Sequence, residues 1–136
     1  MTVAIVALSG RALAAAARRA GERCCVVDCF ADEDTRALAQ RCIRIEGALS
    51  AGFTAASLRG ALSGLDVSGI VYGTGFEADP ALLAVLAATA PVLGNPPEVV
   101  AAVKDPMRLA ATLAALGLPH PETRLAPPER PEGWLS

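Results

Sequence analysis

Aromatic residues are scarce: three Phe, one Tyr and one Trp make up 4% of the 136 residues. Single-stranded nucleic acid is usually held on several stacked rings, so that class of partner is excluded. The net charge of -2 points the same way, since it leaves no basic footprint for a phosphate backbone. Histidine is scarcer still. His120 is the only one and stands between Pro119 and Pro121. It reads as an exposed linker residue, with no cluster for a transition metal and no Ser or Cys partner at a recognisable elbow. Long apolar runs are also missing. The longest, ALLAVLAATAPVL, is broken by threonine and proline and falls short of the run of about 18 residues that a membrane span needs. The start, MTVAIVALSGR, lacks a basic n-region, so no signal peptide is read and a cytoplasmic location is the default expectation. Cys24, Cys25, Cys29 and Cys42 fit neither paired zinc spacing nor a disulfide framework. They read as small buried hydrophobes, with Cys25 and Cys29 on one face of a strand.

What is present is apolar substance. Hydrophobic residues make up 53% and charged residues 19%, which excludes disorder, and the length suits one domain with a real core. TVAIVAL is a short β-branched run and reads as a strand buried on both faces. The alanine-rich SGRALAAAARRAG predicts a helix stopped at Gly21. RCCVVDCF predicts a second strand, TRALAQRC a short helix capped from Asp32 to Asp34, and RCIRI a weak third strand. Thr54 caps the helix TAASLRGALSG, and SGIVYG is a fourth strand. Asp79-Pro80 opens the helix DPALLAVLAATA, and PVLG is a short fifth strand. Strand and helix alternate through five rounds. This predicts an α/β fold, an open doubly wound parallel sheet of Rossmann or flavodoxin type with about five strands and helices on both faces. Past Gly94 the rhythm changes to two helices, PPEVVAAVK and DPMRLAATLAALG, and then to LPHPETRLAPPERPEG, a proline-rich linker or edge strand.

In such sheets ligands bind beyond the carboxyl ends of the strands. Those ends carry LSGRA, VDCFADEDT, YGTGFE and LGNPPE. At Ser9-Gly10-Arg11 the glycine lets backbone amides approach an anion, and Arg11 could clamp a carboxylate or phosphate. Gly10 stands alone, however, and the plain alternative is a tight turn with a solvated arginine. Asp28 follows Ser9 by 19 residues, roughly where dinucleotide folds place a ribose-binding acid. The missing glycine fingerprint favours the alternative, in which Asp28, Asp32, Glu33 and Asp34 solvate a loop and cap a helix. Gly73 and Gly75 flank Thr74 and permit either close approach of a ligand or a turn the geometry demands, with Glu77 at the same edge.

Taken in order, SGRALAAAARRAG, VVDCFADEDTR, VYGTGFE, LGNPPEVVAAVKDP, LGLPHPET and PPERPEGWL resemble the start of an ATP-grasp protein. More narrowly, the chain is similar to predicted ATP-grasp ligases related to biotin carboxylase and carbamoyl-phosphate synthetase, found beside one-carbon (tetrahydromethanopterin) genes in methylotrophs. The resemblance covers the whole chain. It implies that residues 1–118 form the Rossmann-like pre-ATP-grasp domain, and that 119–136 are a linker and the start of an ATP-grasp domain not included here. It further implies a substrate-side domain, inactive alone, of a ligase that phosphorylates a carboxylate with ATP so that an amine or other nucleophile attacks the acyl phosphate. ATP and Mg would be bound mainly by later domains of the same polypeptide. Ser9, Gly10, Arg11, Gly73, Thr74, Gly75, Phe76 and Glu77 would face the small-molecule substrate, and Asn95 would mark the turn before the helix pair. Relatives often place a lysine or arginine directly after the aspartate that opens the last helix, where it reaches a nucleotide phosphate. Pro106 stands there instead, leaving Lys104 and Arg108 as the candidate phosphate contacts, against the plain reading of solvated helix-end charges.

Two other classes compete: a free-standing Rossmann or flavodoxin-like nucleotide-binding or sensor module, and a dehydrogenase cofactor domain using Asp28. The ending PPERPEGWLS reads as the exit linker and the entry to a following strand, with Trp134 and Leu135 belonging to a core that is not here and expected to pack poorly.

Overall fold

The β-branched runs pair as the alternation predicts. In a computed structural model, which describes residues 1–126, they form β1 (Thr2–Val6), β2 (Arg23–Asp28), β3 (Arg41–Arg44) and β4 (Gly69–Tyr72). All pairings are parallel and the sheet order is β3-β2-β1-β4. The expected fifth strand is reduced to one parallel bridge, Ile70 to Val92. Its two hydrogen bonds run from Ile70 N to Pro91 O (2.8 Å) and from Leu93 N to Ile70 O (2.7 Å). Pro91 has no N–H to donate and Gly94 has no side chain to pack, so a longer ladder has little to hold it.

The connections are helical: α1 (Arg11–Arg19), α2 (Glu33–Leu38), α3 (Ala48–Ala51), α4 (Ala55–Leu62) and, after a 3-10 turn at Pro80–Leu82, α5 (Leu83–Ala87). α2 begins earlier than TRALAQRC predicts. The Asp32 carboxylate accepts from Thr35 N at 2.7 Å and fixes the start of the helix. Thr54 caps α4 as expected and forms a reciprocal capping box with Ser57. Asp79 makes no side-chain cap bond, and its helix opens with the 3-10 turn instead. α3 follows Gly47, whose φ of 75° begins a turn too short to leave a periodic signal.

Period-2 alternation sorts the strands onto two faces. Val3, Ile5, Cys24 and Val26 pack with Ala14 of α1, and Leu38 of α2 lies against them. Ala4, Val6, Val27 and Ile70 face the other way, onto Leu58 and Leu62 of α4 and Leu83 and Leu86 of α5. The sheet is therefore covered by helices on both faces, as a doubly wound fold requires.

The chain divides into one compact unit, Met1–Val100, and a second from Ala101 on. α6 (Pro97–Lys104) runs across that division and α7 (Pro106–Ala115) lies in the second unit. Asp105 caps α7, accepting from Met107 N and Arg108 N at 3.0 Å. Beyond Gly117, residues 118–126 form no helix or strand. The ending PPERPEGWLS, with Trp134 and Leu135, lies outside the described residues. Among the described residues no helix is long and apolar enough to cross a membrane.

All four cysteines are free, three of them buried and Cys42 half-buried. Loss of water pushes the Cys42 thiol up to about 11, with the nearby Asp28 charge adding to it. Burial also raises Cys24 and Cys29. The thiolate is the reactive form, so the native protein is expected to leave these three thiols unlabelled by iodoacetamide near neutral pH, with all four labelling in denaturant. Mass spectrometry reads the result, and fast native labelling of Cys42 would contradict its environment. An unfolded Cys42 ionises near 9 while the folded one keeps its proton to about 11, so its contribution to stability is present below pH 9 and falls across that window.

Candidate functional site at the carboxyl edge of the sheet

The loops leaving β1, β2 and β4 meet at Leu8. Its N–H donates to Thr74 O at 2.9 Å and its carbonyl accepts from Cys29 N at 3.1 Å. One residue of the β1–α1 turn thus ties down both neighbouring loops. This brings Ser9-Gly10-Arg11 and Gly73 to Glu77 to a common edge.

Asp28 is the second tie. Its side chain is fully buried. One oxygen accepts from Gly10 N at 3.0 Å, and the other from Phe30 N at 3.1 Å and Ala31 N at 2.7 Å. Three backbone donors around one carboxylate compensate its desolvation. Asp28 is therefore neither a ribose-facing acid nor a solvated loop residue. Spacing along the chain could not reveal this, because the Gly10 donor is brought to Asp28 by the pairing of β1 with β2. Ala31, the one non-glycine with positive φ among the described residues (47°), turns the chain directly after this clamp. Phe30 beside it is 45% exposed at the same edge. Its position in an acidic loop, where an aromatic has no core to enter, was the available signal.

The glycines divide by function. A Cβ on Gly10 would collide with Val26 Cγ1, so the glycine lets α1 start hard against β2. Gly75 has φ of 116°, and a Cβ there would lie 2.7 Å from Phe53 Cε2. Its N–H donates to the Glu77 carboxylate at 2.7 Å. Phe76 corrects an expectation. Rather than facing the edge, it is 1% exposed, with its ring 5.3 Å from Phe53 and 5.7 Å from Tyr72. The turn at Gly75 directs the next side chain into the core beneath the loop. The exposed members of the edge are Ser9, Arg11, Thr74 and Glu77. Arg11 bonds Asp34 of α2 at 3.4 Å, both largely exposed, a pairing worth little in water. Asn95 is exposed and its carbonyl accepts from Tyr72 Oη at 2.7 Å, which holds the turn after the Val92 bridge to the end of β4. Lys104 and Arg108 are exposed residues of the second unit.

No protein-family model matches the sequence, and no curated protein matches it. Solved structures do. The biotin carboxylase domain of a single-chain bacterial carboxylase aligns with a TM-score of 0.65 at 15% identity, over 85% of this chain and 29% of that one. The N5-carboxyaminoimidazole ribonucleotide synthetase of Thermotoga maritima aligns with a TM-score of 0.63 at 17% identity, over 89% of this chain and 32% of the enzyme. The N5-carboxyaminoimidazole synthetase of Staphylococcus aureus, solved with ADP, aligns with a TM-score of 0.62 at 20% identity, over 85% and 30%. The chain thus spans about 30% of the length of each, and over that span it has the fold they share.

Proposed function

We propose that this chain is the substrate-side, pre-ATP-grasp domain of an ATP-dependent carboxylate ligase that works through an acyl phosphate and forms a C–N type bond. The observation that carries the reading is the shared fold with a biotin carboxylase domain and with carboxyaminoimidazole synthetases, over a similar fraction of each. It agrees with the run of motifs from SGRALAAAARRAG to LGLPHPET that resembles ATP-grasp ligases.

In this reading residues 1–118 are the domain and 119–136 lead to ATP-grasp domains of the same polypeptide. Ser9, Gly10, Arg11, Gly73, Thr74, Gly75, Glu77 and Asn95 form the substrate side, with Phe76 supporting the loop from beneath. Arg11 would exchange Asp34 for an anionic group of a small-molecule carboxylate or amine substrate. The domain contributes positioning and charge neutralisation. Lys104 or Arg108 would reach a nucleotide phosphate. Mg would accompany ATP, but among the described residues no three carboxylate, His or Cys side chains come together to hold a metal. These residues do not fit it.

Isothermal titration of ATP-Mg into the 136-residue chain tests the reading. The expected result is no tight binding and no ATP turnover. Tight binding with turnover would show a complete nucleotide site and sink the proposal of a substrate-side domain inactive alone.

A further inference from the structure

We infer that Asp28 is a resident anion that takes the Gly10 N–H of the β1–α1 turn from within the chain, and so withholds that donor, with the Phe30 and Ala31 N–H groups of the β2–α2 loop, from a ligand phosphate. In doubly wound sheets the N–H groups at the start of the first helix are the phosphate-binding donors. Here the Gly10 N–H is taken by one Asp28 oxygen at 3.0 Å, and the other oxygen takes Phe30 N and Ala31 N at 3.1 and 2.7 Å. The carboxylate is fully buried, so it does not exchange these donors for water.

The space agrees with the hydrogen bonds. In a phosphate-binding turn the missing glycine side chain leaves room for the ligand. The equivalent room at Gly10 is already filled, because a Cβ there would collide with Val26 Cγ1 and lie 3.5 Å from Asp28 Oδ2. Arg11, the nearest cation in sequence, is turned to Asp34. A ligand at this edge therefore meets the exposed Ser9, Arg11 and Thr74 side chains, and any phosphate it carries must be held by groups other than the Gly10, Phe30 and Ala31 amides. The inference concerns residues of this chain alone and stands whether or not the ATP-dependent reading holds.

The test is a titration of the wild-type chain with inorganic pyrophosphate, and separately with NAD, followed by amide NMR. The Gly10, Phe30 and Ala31 resonances are expected to move no more than in sodium chloride of equal ionic strength. A saturable shift at those amides would overturn the inference. In a second measurement, the melting temperature of Asp28→Ala is followed against added formate, a free carboxylate small enough to enter the vacated space. Formate is expected to raise the melting temperature of the variant well beyond the effect of equal chloride, and to leave the wild type at the chloride level. A folded variant that responds to formate no more than the wild type would overturn the inference. Should the variant not fold, the wild-type titration decides alone.

Discussion

Phe76→Ala is expected to lower the stability of the chain by about 3–5 kcal/mol, the usual cost of emptying a buried aromatic site. Phe76 is among the largest fully buried side chains and lies against two of the other aromatic rings, Phe53 and Tyr72. The cavity would open where the Gly73–Glu77 loop rests, and Gly75 already sits close to Phe53 and Leu8. Relaxation there is limited, because the backbone is pinned by Thr74 O to Leu8 N and by Gly75 N to Glu77. Phe76→Leu keeps most of the volume and is expected to cost about 1 kcal/mol, within the range of conservative core swaps. Urea denaturation followed by circular dichroism separates the two variants. A loss below about 1 kcal/mol for Phe76→Ala would mean that the side chain is not the core residue described, and would return it to the candidate ligand-facing set.

Removing Asp28 is the second large effect. Asp28→Ala strands three backbone N–H groups that have no other acceptor in view, each worth about 1–3 kcal/mol when left unsatisfied and dry. The expected loss is about 3 kcal/mol or more, a large share of the roughly 5–15 kcal/mol of a typical domain. Asp28→Asn keeps one acceptor oxygen but sets an amide N–H₂ against a backbone donor, so about half the effect is expected. The discriminating measurement is hydrogen exchange at Gly10 and Ala31 alongside denaturation. Both amides should lose protection in Asp28→Ala, and retention at either would show that the carboxylate is not its partner.

These two residues also mark where sequence reading stops. β1, β2, β4 and α1 were legible because each is a local pattern: a β-branched run, or an alanine-rich stretch stopped by Gly21. Thr54 was legible because its capping box lies within four residues. Phe76 was misplaced because its direction depends on the positive φ at Gly75, a backbone state the loop composition only permits. The role of Asp28 was hidden because its first donor, Gly10, comes from another loop and is aligned only by the register of β1 on β2. The fifth strand shrank to a bridge where Pro91 withdrew a donor. A Cβ at Gly10 or Gly75 would meet Val26 or Phe53, a close packing that chain composition alone does not reveal.

The junction at Leu8 has a consequence for how this edge would behave as a receptor. Its turn is bonded on both flanks, to Thr74 O and from Cys29 N, so it loses its conformational freedom when the chain folds and not when something binds. Contacts made there start from preset geometry, which favours affinity per contact and leaves little scope for induced fit. Slow amide exchange at Leu8 and Cys29, opening only with the whole domain, would be its signature.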